Sequence, residues 1–233
     1  MSEGFDLDLT GDAFDDRPGV PEGAGGTERR IVTVSAGTSD PSTTRMLADR
    51  LGRAAVTGLS QRGVRATLMT LDLRTIAHDL LDTMLTGVRS TAVEEAMDAV
   101  RGADGLVVTT PVYSGSYSGL LKMFLDVLDR GSIDGTPVLL SATGGTPRHS
   151  LAIDYALRPL VAYLRGSAMP TAVYAATDDW AAGAGEPGGP DLPGRIVRAG
   201  EELAHAVAGS APRQAKDEFD DVPDFSSMLS ALR

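Results

Sequence analysis

A dense group of hydroxyl side chains occupies residues 35–45, which read SAGTSDPSTTR. The segment follows a predicted buried strand and opens a predicted helix, so backbone N–H groups and the helix dipole there favour an anion. Capping a helix needs only one of these hydroxyls, and the others are available to donate to phosphate oxygens. The segment is therefore predicted to bind a phosphate. A Walker loop is excluded because the chain's lysines, Lys122 and Lys216, lie elsewhere in the sequence.

A second candidate segment, TTPVYSGSYSGLLKMFLD at 109–126, follows another predicted strand. Pro111 lacks an N–H and predicts a turn. Tyr113 ends the strand beside Ser114 and Gly115, where the small side chains let the backbone approach a flat ring closely. The alternative is that Tyr113 and Tyr117 are one buried and one exposed tyrosine that contact no ligand. The spacing alone leaves both possibilities open.

A third segment, ATGGTPRHS at 142–150, follows the next strand, and its adjacent glycines leave N–H groups free to face a ligand. An ordinary loop with a helix cap is the alternative. GAGEPG at 183–188 matches G-x-G-x-x-G as a string, but it follows the last predicted strand and contains Pro187. A dinucleotide fingerprint closes the turn from the first strand into a helix, so this stretch is predicted to be a linker.

Short apolar strands alternate with amphipathic helices along the chain. Strands are predicted at 31–35, 64–72, 105–112, 137–143 and 170–176, and helices at 41–63, 91–101, 118–129, 150–165 and 195–208. This alternation predicts an α/β fold, a parallel sheet with helices on both faces. Five strands favour the flavodoxin-like order 2-1-3-4-5, which gathers ligands at the carboxyl ends of strands one, three and four.

The chain's acidity is concentrated at its two ends. The 233 residues carry a formal charge of −11, and residues 1–28 hold eight acids against one arginine, a net charge of −7. Residues 211–233 hold five acids against three basic side chains, a net charge of −2. We therefore predict one domain at 29–210 between an acidic tail at 1–28, too polar to fold alone, and an acidic tail at 211–233. The first tail either solubilises the protein or docks a partner.

Composition excludes several classes of function. Without cysteine the chain has no disulfide, thiolate nucleophile or iron–sulfur ligand, and its three scattered histidines predict no metal site. The basic side chains form no cluster, which disfavours nucleic acid as a partner. An acidic N-terminus without an apolar core and the lack of a long apolar run predict a cytoplasmic protein that does not bind membranes.

Taken together, the segments at 36–44, 109–128 and 142–160 resemble the NADPH-dependent FMN reductase family. They are most similar to the branch that serves two-component sulfonate monooxygenases and to actinobacterial reductases paired with luciferase-like monooxygenases. The resemblance spans residues 30–177 and implies a flavodoxin-like FMN reductase that uses NADPH or NADH. It also implies an FMN-dependent luciferase-like monooxygenase as partner. The apolar helix at 150–165 adds the expectation of a homodimer or homotetramer.

The resemblance also implies roles for individual residues. The expected cofactor contacts are Thr38, Ser42, Thr43 and Thr44 at the FMN phosphate, Pro111, Val112, Tyr113, Ser114 and Gly115 at the isoalloxazine, and Thr143, Gly144 and Gly145 at its pyrimidine edge. Tyr117 matches a tyrosine inserted in a π-helical bulge at a subunit interface, with a modulatory role. No acid–base residue is expected, because flavin and nicotinamide carry the chemistry.

Two positions near the expected cofactor bear on charge. Arg148 is the candidate cation for the 2′-phosphate of NADPH. Many relatives have an arginine where Asp40 stands, so either Asp40 faces solvent or Arg45 compensates for its charge. Two other activities remain open: a reductase of quinones or azo dyes that retains its FMN, and a flavodoxin-like electron carrier.

Overall fold

A computed structural model describes residues 28–181 and 191–213. The strands are β1 (Arg29–Ser35), β2 (Ala66–Asp72), β3 (Gly105–Tyr113), β4 (Ser116–Tyr117), β5 (Pro137–Gly144), β6 (Ser167–Ala168) and β7 (Val173–Ala176). The helices are α1 (Thr43–Gln61), α2 (Ala77–Thr86), α3 (Thr91–Arg101), α4 (Gly119–Val127), α5 (Arg158–Tyr163), α6 (Thr177–Ala181) and α7 (Leu192–Gly209). The predicted linker at 183–188, and all but a few residues of the two predicted tails, lie outside the described residues.

One parallel sheet organises these elements. Its strands follow the order β2-β1-β3-β5, with β6 and β7 both paired to β5 and with β4 antiparallel to β3. The predicted flavodoxin-like α/β fold is confirmed, although the sheet has seven strands rather than five because β4 and β6 are two-residue additions. The predicted fifth strand at 170–176 begins only at Val173, since Pro170 has no N–H to donate to a neighbouring strand.

Helices cover both faces of this sheet. On one face α1 and α7 pack against each other and against β1, β3 and β5, where Leu51, Leu139 and Leu203 are fully buried. On the other face α2, α3, α4 and α5 enclose a second core around Leu80, Phe124 and other buried side chains. Because both faces are buried, the central strands are apolar almost throughout, as parallel strands usually are.

Three segments differ from the predicted elements. Residues 73–90, which showed no predicted element, form a 3-10 turn and the helix α2. The predicted helix at 150–165 is divided into a π-helix, Ile153–Leu157, and the short α5. α7 begins at Leu192, three residues before the predicted helix at 195–208, because Asp191 caps it and Pro193 fits its first turn. Among the described residues, no helix is long and apolar enough to cross a bilayer.

A buried ion pair holds the amino end of the sheet together. Arg29 Nη1 of β1 donates to Asp104 Oδ1 over 3.1 Å, and the two side chains are only 9% and 3% exposed. The same carboxylate accepts the backbone N–H groups of Arg30 and Arg213, each at 2.7 Å. Asp104 therefore ties together the start of β1, the turn before β3 and the chain that follows α7.

We expect Asp104→Ala to lower the free energy of unfolding by about 3–5 kcal/mol, because it leaves the buried Arg29 guanidinium without its carboxylate. The matched control is Asp98→Ala, which removes a carboxylate that is 62% exposed and pairs with Arg101. That control should cost less than about 1 kcal/mol, as exposed pairs do. Urea denaturation of both variants measures the difference, and equal losses would contradict the assigned role of Asp104.

Candidate functional site

The three predicted ligand segments meet at one edge of the sheet. β1, β3 and β5 are parallel neighbours, with Ser35 beside Thr109 and Thr109 beside Ser141. Their carboxyl ends therefore lie side by side, and each continues into one of the three segments. This is the edge at which doubly wound sheets bind ligands.

The first segment, between β1 and α1, presents the predicted phosphate donors. Ser42 caps α1, and its Oγ accepts the N–H of Arg45 over 3.2 Å. Thr38 and Thr43 are exposed, and Thr43 is the first residue of the 19-residue α1. The free N–H groups of the first helical turn and these hydroxyls form an uncharged set of anion donors.

The carboxylate in this first segment faces away from the donors. The side chain of Asp40 is 76% exposed and pairs with Arg74 over 3.4 Å. Arg45 pairs instead with Asp49 at 3.1 Å and with Asp72 at 3.5 Å. Of the two expectations for Asp40, the solvent-facing one is therefore correct, and Arg45 does not compensate for its charge.

The second segment is a β-hairpin rather than a turn at Pro111. β3 continues through Pro111 and Val112 to Tyr113, and the chain reverses at Ser114 (φ 51°) and Gly115 (φ 80°). Two successive residues with positive φ suit a tight hairpin turn, and glycine takes that conformation without strain. The predicted turn at Pro111 is wrong, because the reversal depends on Gly115 and not on the missing N–H of proline.

Tyr117 does not lie in a π-helix. It pairs with Val112 in the antiparallel β3–β4 ladder, so its backbone is extended, and α4 begins only after the capping residue Ser118. β4 instead contacts the π-helix Ile153–Leu157, which follows β5. Tyr117 is half-buried against the core on that face. The π-helix of this structure lies instead at Ile153–Leu157 and contains the exposed Tyr155, and the modulatory role of Tyr117 stays a prediction.

The third segment is shaped by a tyrosine that the sequence did not single out. The hydroxyl of Tyr174, on β7, donates to the carbonyl of Thr146 over 2.8 Å. A Cβ at Gly144 would lie 2.1 Å from that hydroxyl oxygen, so only glycine leaves room for it. Burial, reinforced by the negative charge of Asp179, raises the pKa of Tyr174 and keeps its hydroxyl protonated as a donor. Arg148 lies exposed in a 3-10 turn beyond this loop.

Two hydrogen bonds connect the three segments. Thr38 Oγ1 lies 2.7 Å from the Tyr113 hydroxyl and joins the first segment to the hairpin. Thr44 Oγ1 lies 2.7 Å from Thr143 Oγ1 and joins the first turn of α1 to the end of β5. Thr44 and Thr143 are only 3% and 5% exposed, so their hydroxyls satisfy each other and position the segments. Thr38 and Thr43 are exposed, and of these two hydroxyls that of Thr38 pairs with Tyr113.

Further buried hydroxyls support this edge. Thr109 Oγ1 lies 2.7 Å from Ser141 Oγ, and Thr110 Oγ1 accepts the N–H of Ser118 over 2.9 Å. Ser35 Oγ, at the carboxyl end of β1, is buried and has no hydrogen-bond partner among the described residues. Hydroxyls clustered at the ends of otherwise apolar strands were the sequence signal for these contacts. They leave a polar edge with an unused donor, which suits a polar ligand above it.

The residues at this edge fit a phosphorylated flat ring. Uncharged donors and a helix N-terminus face the expected phosphate position, and a tight hairpin with little side-chain bulk borders the expected ring position. The site brings together the predicted residues from all three segments. Their individual contacts with a ligand stay predictions.

Several known proteins are similar to this chain in sequence or in fold. An FMN reductase (NADPH) of Pseudomonas aeruginosa is 38% identical over 151 residues, 65% of this chain and 78% of that protein. The NADH-dependent FMN reductase SfnE of Pseudomonas putida is 37% identical over 155 residues, covering 66% and 81% of the two chains. The crystal structure of an oxidoreductase from Corynebacterium diphtheriae superposes with a TM-score of 0.74 at 43% identity, covering 79% of this chain and 99% of that one.

The family model described as NADPH-dependent FMN reductase matches residues 29–181, which include all three segments of the candidate site. This match confirms the resemblance found in the sequence. The chain belongs to the NADPH-dependent FMN reductase family.

Proposed function

We propose that this protein reduces FMN with NAD(P)H and releases the reduced FMN to a partner flavin-dependent monooxygenase. As a member of its family, the chain is an NAD(P)H:FMN oxidoreductase. The observation that carries the proposal is the convergence of three segments, joined by the Thr38–Tyr113 and Thr44–Thr143 hydrogen bonds, on one uncharged, donor-rich edge. The name of the SfnE relative supports reduction of FMN, and the resemblance to reductases of two-component systems supports a monooxygenase partner.

Each segment has a distinct task in this function. Thr38, Ser42 and Thr43 donate to the phosphate, together with the N–H groups at the start of α1. The hairpin backbone at 111–115 supports one face of the ring and leaves the other face open to nicotinamide. Backbone N–H groups at 143–145 donate to the pyrimidine edge, where negative charge develops on reduction. Bound FMN supplies the hydride-accepting chemistry, so the protein needs only to bind and orient the two reactants.

The charge of the site favours release of FMN. The arginines nearest the first segment, Arg45 and Arg74, are paired with carboxylates in the free protein. Neutral hydroxyls and a helix dipole then hold the phosphate, and hydrogen bonds from neutral donors are weaker than those from charged donors. Modest affinity is what a reductase needs if FMN is its substrate and leaves after reduction.

An apolar surface beside the site supports the expected self-association. Leu151, Tyr155 and Tyr163, around the π-helix and α5, are between 60% and 82% exposed. This surface lies in the helix predicted at 150–165 to contact another subunit. The proposal therefore includes a homodimer or homotetramer that forms through this surface.

A flavin-release assay tests the proposal. Purified protein, dialysed free of flavin, should oxidise NADPH or NADH only when FMN is added, and the reduced FMN should support a monooxygenase held behind a dialysis membrane. Protein that stays yellow and needs no added FMN would indicate a reductase of quinones or azo dyes. Flavin binding without NAD(P)H oxidation would indicate an electron carrier.

Gly144→Ala should weaken FMN binding at least tenfold, about 1.4 kcal/mol, because its methyl group displaces the Tyr174 hydroxyl from Thr146 and shifts the loop. Gly209→Ala is the matched control, since an added Cβ there meets no atom within 4 Å and the residue lies at the end of α7, outside the three segments of the site. Titration calorimetry measures both affinities. Equal effects of the two substitutions would show that the shape of this loop does not determine flavin binding.

Thr43→Val should weaken FMN binding by about tenfold, since a hydrogen bond to a charged group contributes roughly 1.5–3 kcal/mol. Riboflavin, which lacks the phosphate, provides the control. Its affinity should be the same in Thr43→Val and in the unsubstituted protein, measured by quenching of flavin fluorescence. Parallel losses for both ligands would place the Thr43 hydroxyl away from the phosphate.

Arg148→Ala should raise KM for NADPH several-fold while KM for NADH stays constant, because only NADPH carries a 2′-phosphate that needs a cation. Steady-state kinetics at saturating FMN compare the two coenzymes. An unchanged ratio of kcat/KM values would remove Arg148 from the coenzyme site.

A further inference from the structure

An apolar stripe lies exposed on the face of the molecule that carries α2. It consists of Leu81, Met84, Leu85 and Val88, which are 44%, 47%, 76% and 72% exposed. Leu81, Met84 and Leu85, at i, i+3 and i+4, share one face of α2, and Val88 follows the end of the helix, where Gly87 has a φ of 75°. Apolar side chains on such a helical face normally turn toward a partner.

The chain that follows α7 is held against a turn of the described domain. The backbone N–H of Arg213 donates to Asp104 over 2.7 Å, and its guanidinium donates to the carbonyls of Ser132 and Gly131 at 2.9 and 3.3 Å. The last described residues are therefore fixed against the turn at 129–132.

That turn is also bonded to the end of the stripe. Arg89, next to Val88, hydrogen-bonds the carboxylate of Asp129 through two nitrogens, Nη1 at 3.2 Å and Nη2 at 2.5 Å. Asp129 in turn accepts through its backbone carbonyl from Ser132. The chain thus leaves the described part of the protein on one side of a four-residue turn, and the apolar stripe begins on the other side.

The sequence beyond Arg213 contains a matching pattern. Phe225, Met228, Leu229 and Leu232 recur at i, i+3, i+4 and i+7, the same intervals as the four residues of the stripe. Asp224 precedes them and is a residue type that commonly caps a helix. Phe225 lies twelve positions after Arg213, enough chain to reach about 40 Å when extended, whereas the stripe is only about 10 Å long.

We propose that residues 224–233 of the same chain cover the α2 stripe, with Phe225, Met228, Leu229 and Leu232 packed against Leu81, Met84, Leu85 and Val88. Burying both apolar faces in one contact removes them from water. A set of apolar side chains spaced like those of the stripe can contact all four of its residues at once. The acidic stretch between Arg213 and Phe225 then serves as the connection. The matched family region ends at residue 181, so this contact is additional to the shared reductase domain. It is also independent of the proposed function.

Engineered cysteines test the contact directly, because the natural chain has none. In the full-length protein, Leu85→Cys combined with Leu229→Cys should form an intrachain disulfide under mild oxidation in most molecules. Such a bond requires Cα atoms within about 7 Å. Tyr163→Cys with Leu229→Cys is the matched control. Tyr163 is 82% exposed, and the carbonyl of Arg165, two residues later, accepts the backbone N–H of Gly135, close to the turn at 129–132 that holds Arg213. That pair should stay reduced.

Two results of the crosslinking would overturn the proposal. A disulfide between chains, formed also by Leu85→Cys alone, would assign the stripe to a second copy of the protein. A disulfide in the Tyr163 pair but not in the Leu85 pair would place the segment on the other apolar surface. FMN affinity equal to that of the unsubstituted protein serves as the folding check.

Hydrogen exchange supplies a second measurement in the full-length protein. Leu229→Asp should make the backbone amides of α2 exchange about tenfold faster, because local opening of a helix becomes easier when its apolar cover is lost. Ser230→Asp adds the same charge outside the pattern and should leave α2 unchanged. Equal exchange rates in the two variants would contradict the proposed contact.

Discussion

The parallel pairing of β1, β3 and β5 is the constraint on which the site depends. Parallel strands end at the same edge, so three segments separated by up to about a hundred residues in the sequence meet wherever their strands pair. Each segment alone is an ordinary connection, a capped loop, a hairpin or a glycine loop. Their value for binding comes from the register that places Ser35, Thr109 and Ser141 beside one another at the centre of the sheet.

Hydroxyl groups have two separate tasks at this edge. Buried pairs such as Thr44 with Thr143 and Thr109 with Ser141 hold the segments in place, since a buried hydroxyl must find a partner. Exposed hydroxyls remain available to a ligand. Arg45 and Arg74 are paired with carboxylates, so the candidate phosphate donors of the first segment are neutral hydroxyls and helix N–H groups. This division separates the hydroxyls that hold the segments together from the hydroxyls that the proposed function assigns to the ligand.

In the third segment, a strand residue outside the candidate site determines the shape of a loop. Tyr174 fills the space that Gly144 leaves and hydrogen-bonds Thr146, so the loop conformation depends on packing from β7. A residue outside the candidate site thus helps to determine the shape of one of its loops. The apolar stripe on α2 differs from these packed contacts, because none of the described residues covers it.

The sequence by itself determined the fold class and the three segments of the candidate site, because apolar periodicity and local turn chemistry are encoded in neighbouring residues. The family was indicated by the resemblance of those segments to known reductases, and the strand order was only favoured by the number of strands. It failed where the outcome depends on distant partners. Whether Asp40 faces solvent depends on Arg74, and whether Tyr117 is extended or helical depends on its pairing with Val112. The sequence also did not predict the contact between Tyr174 and the loop at Gly144, or the buried hydrogen bond between Thr44 and Thr143. Each of these contacts joins residues that are close only after the sheet has formed, and so only the tertiary structure decides them.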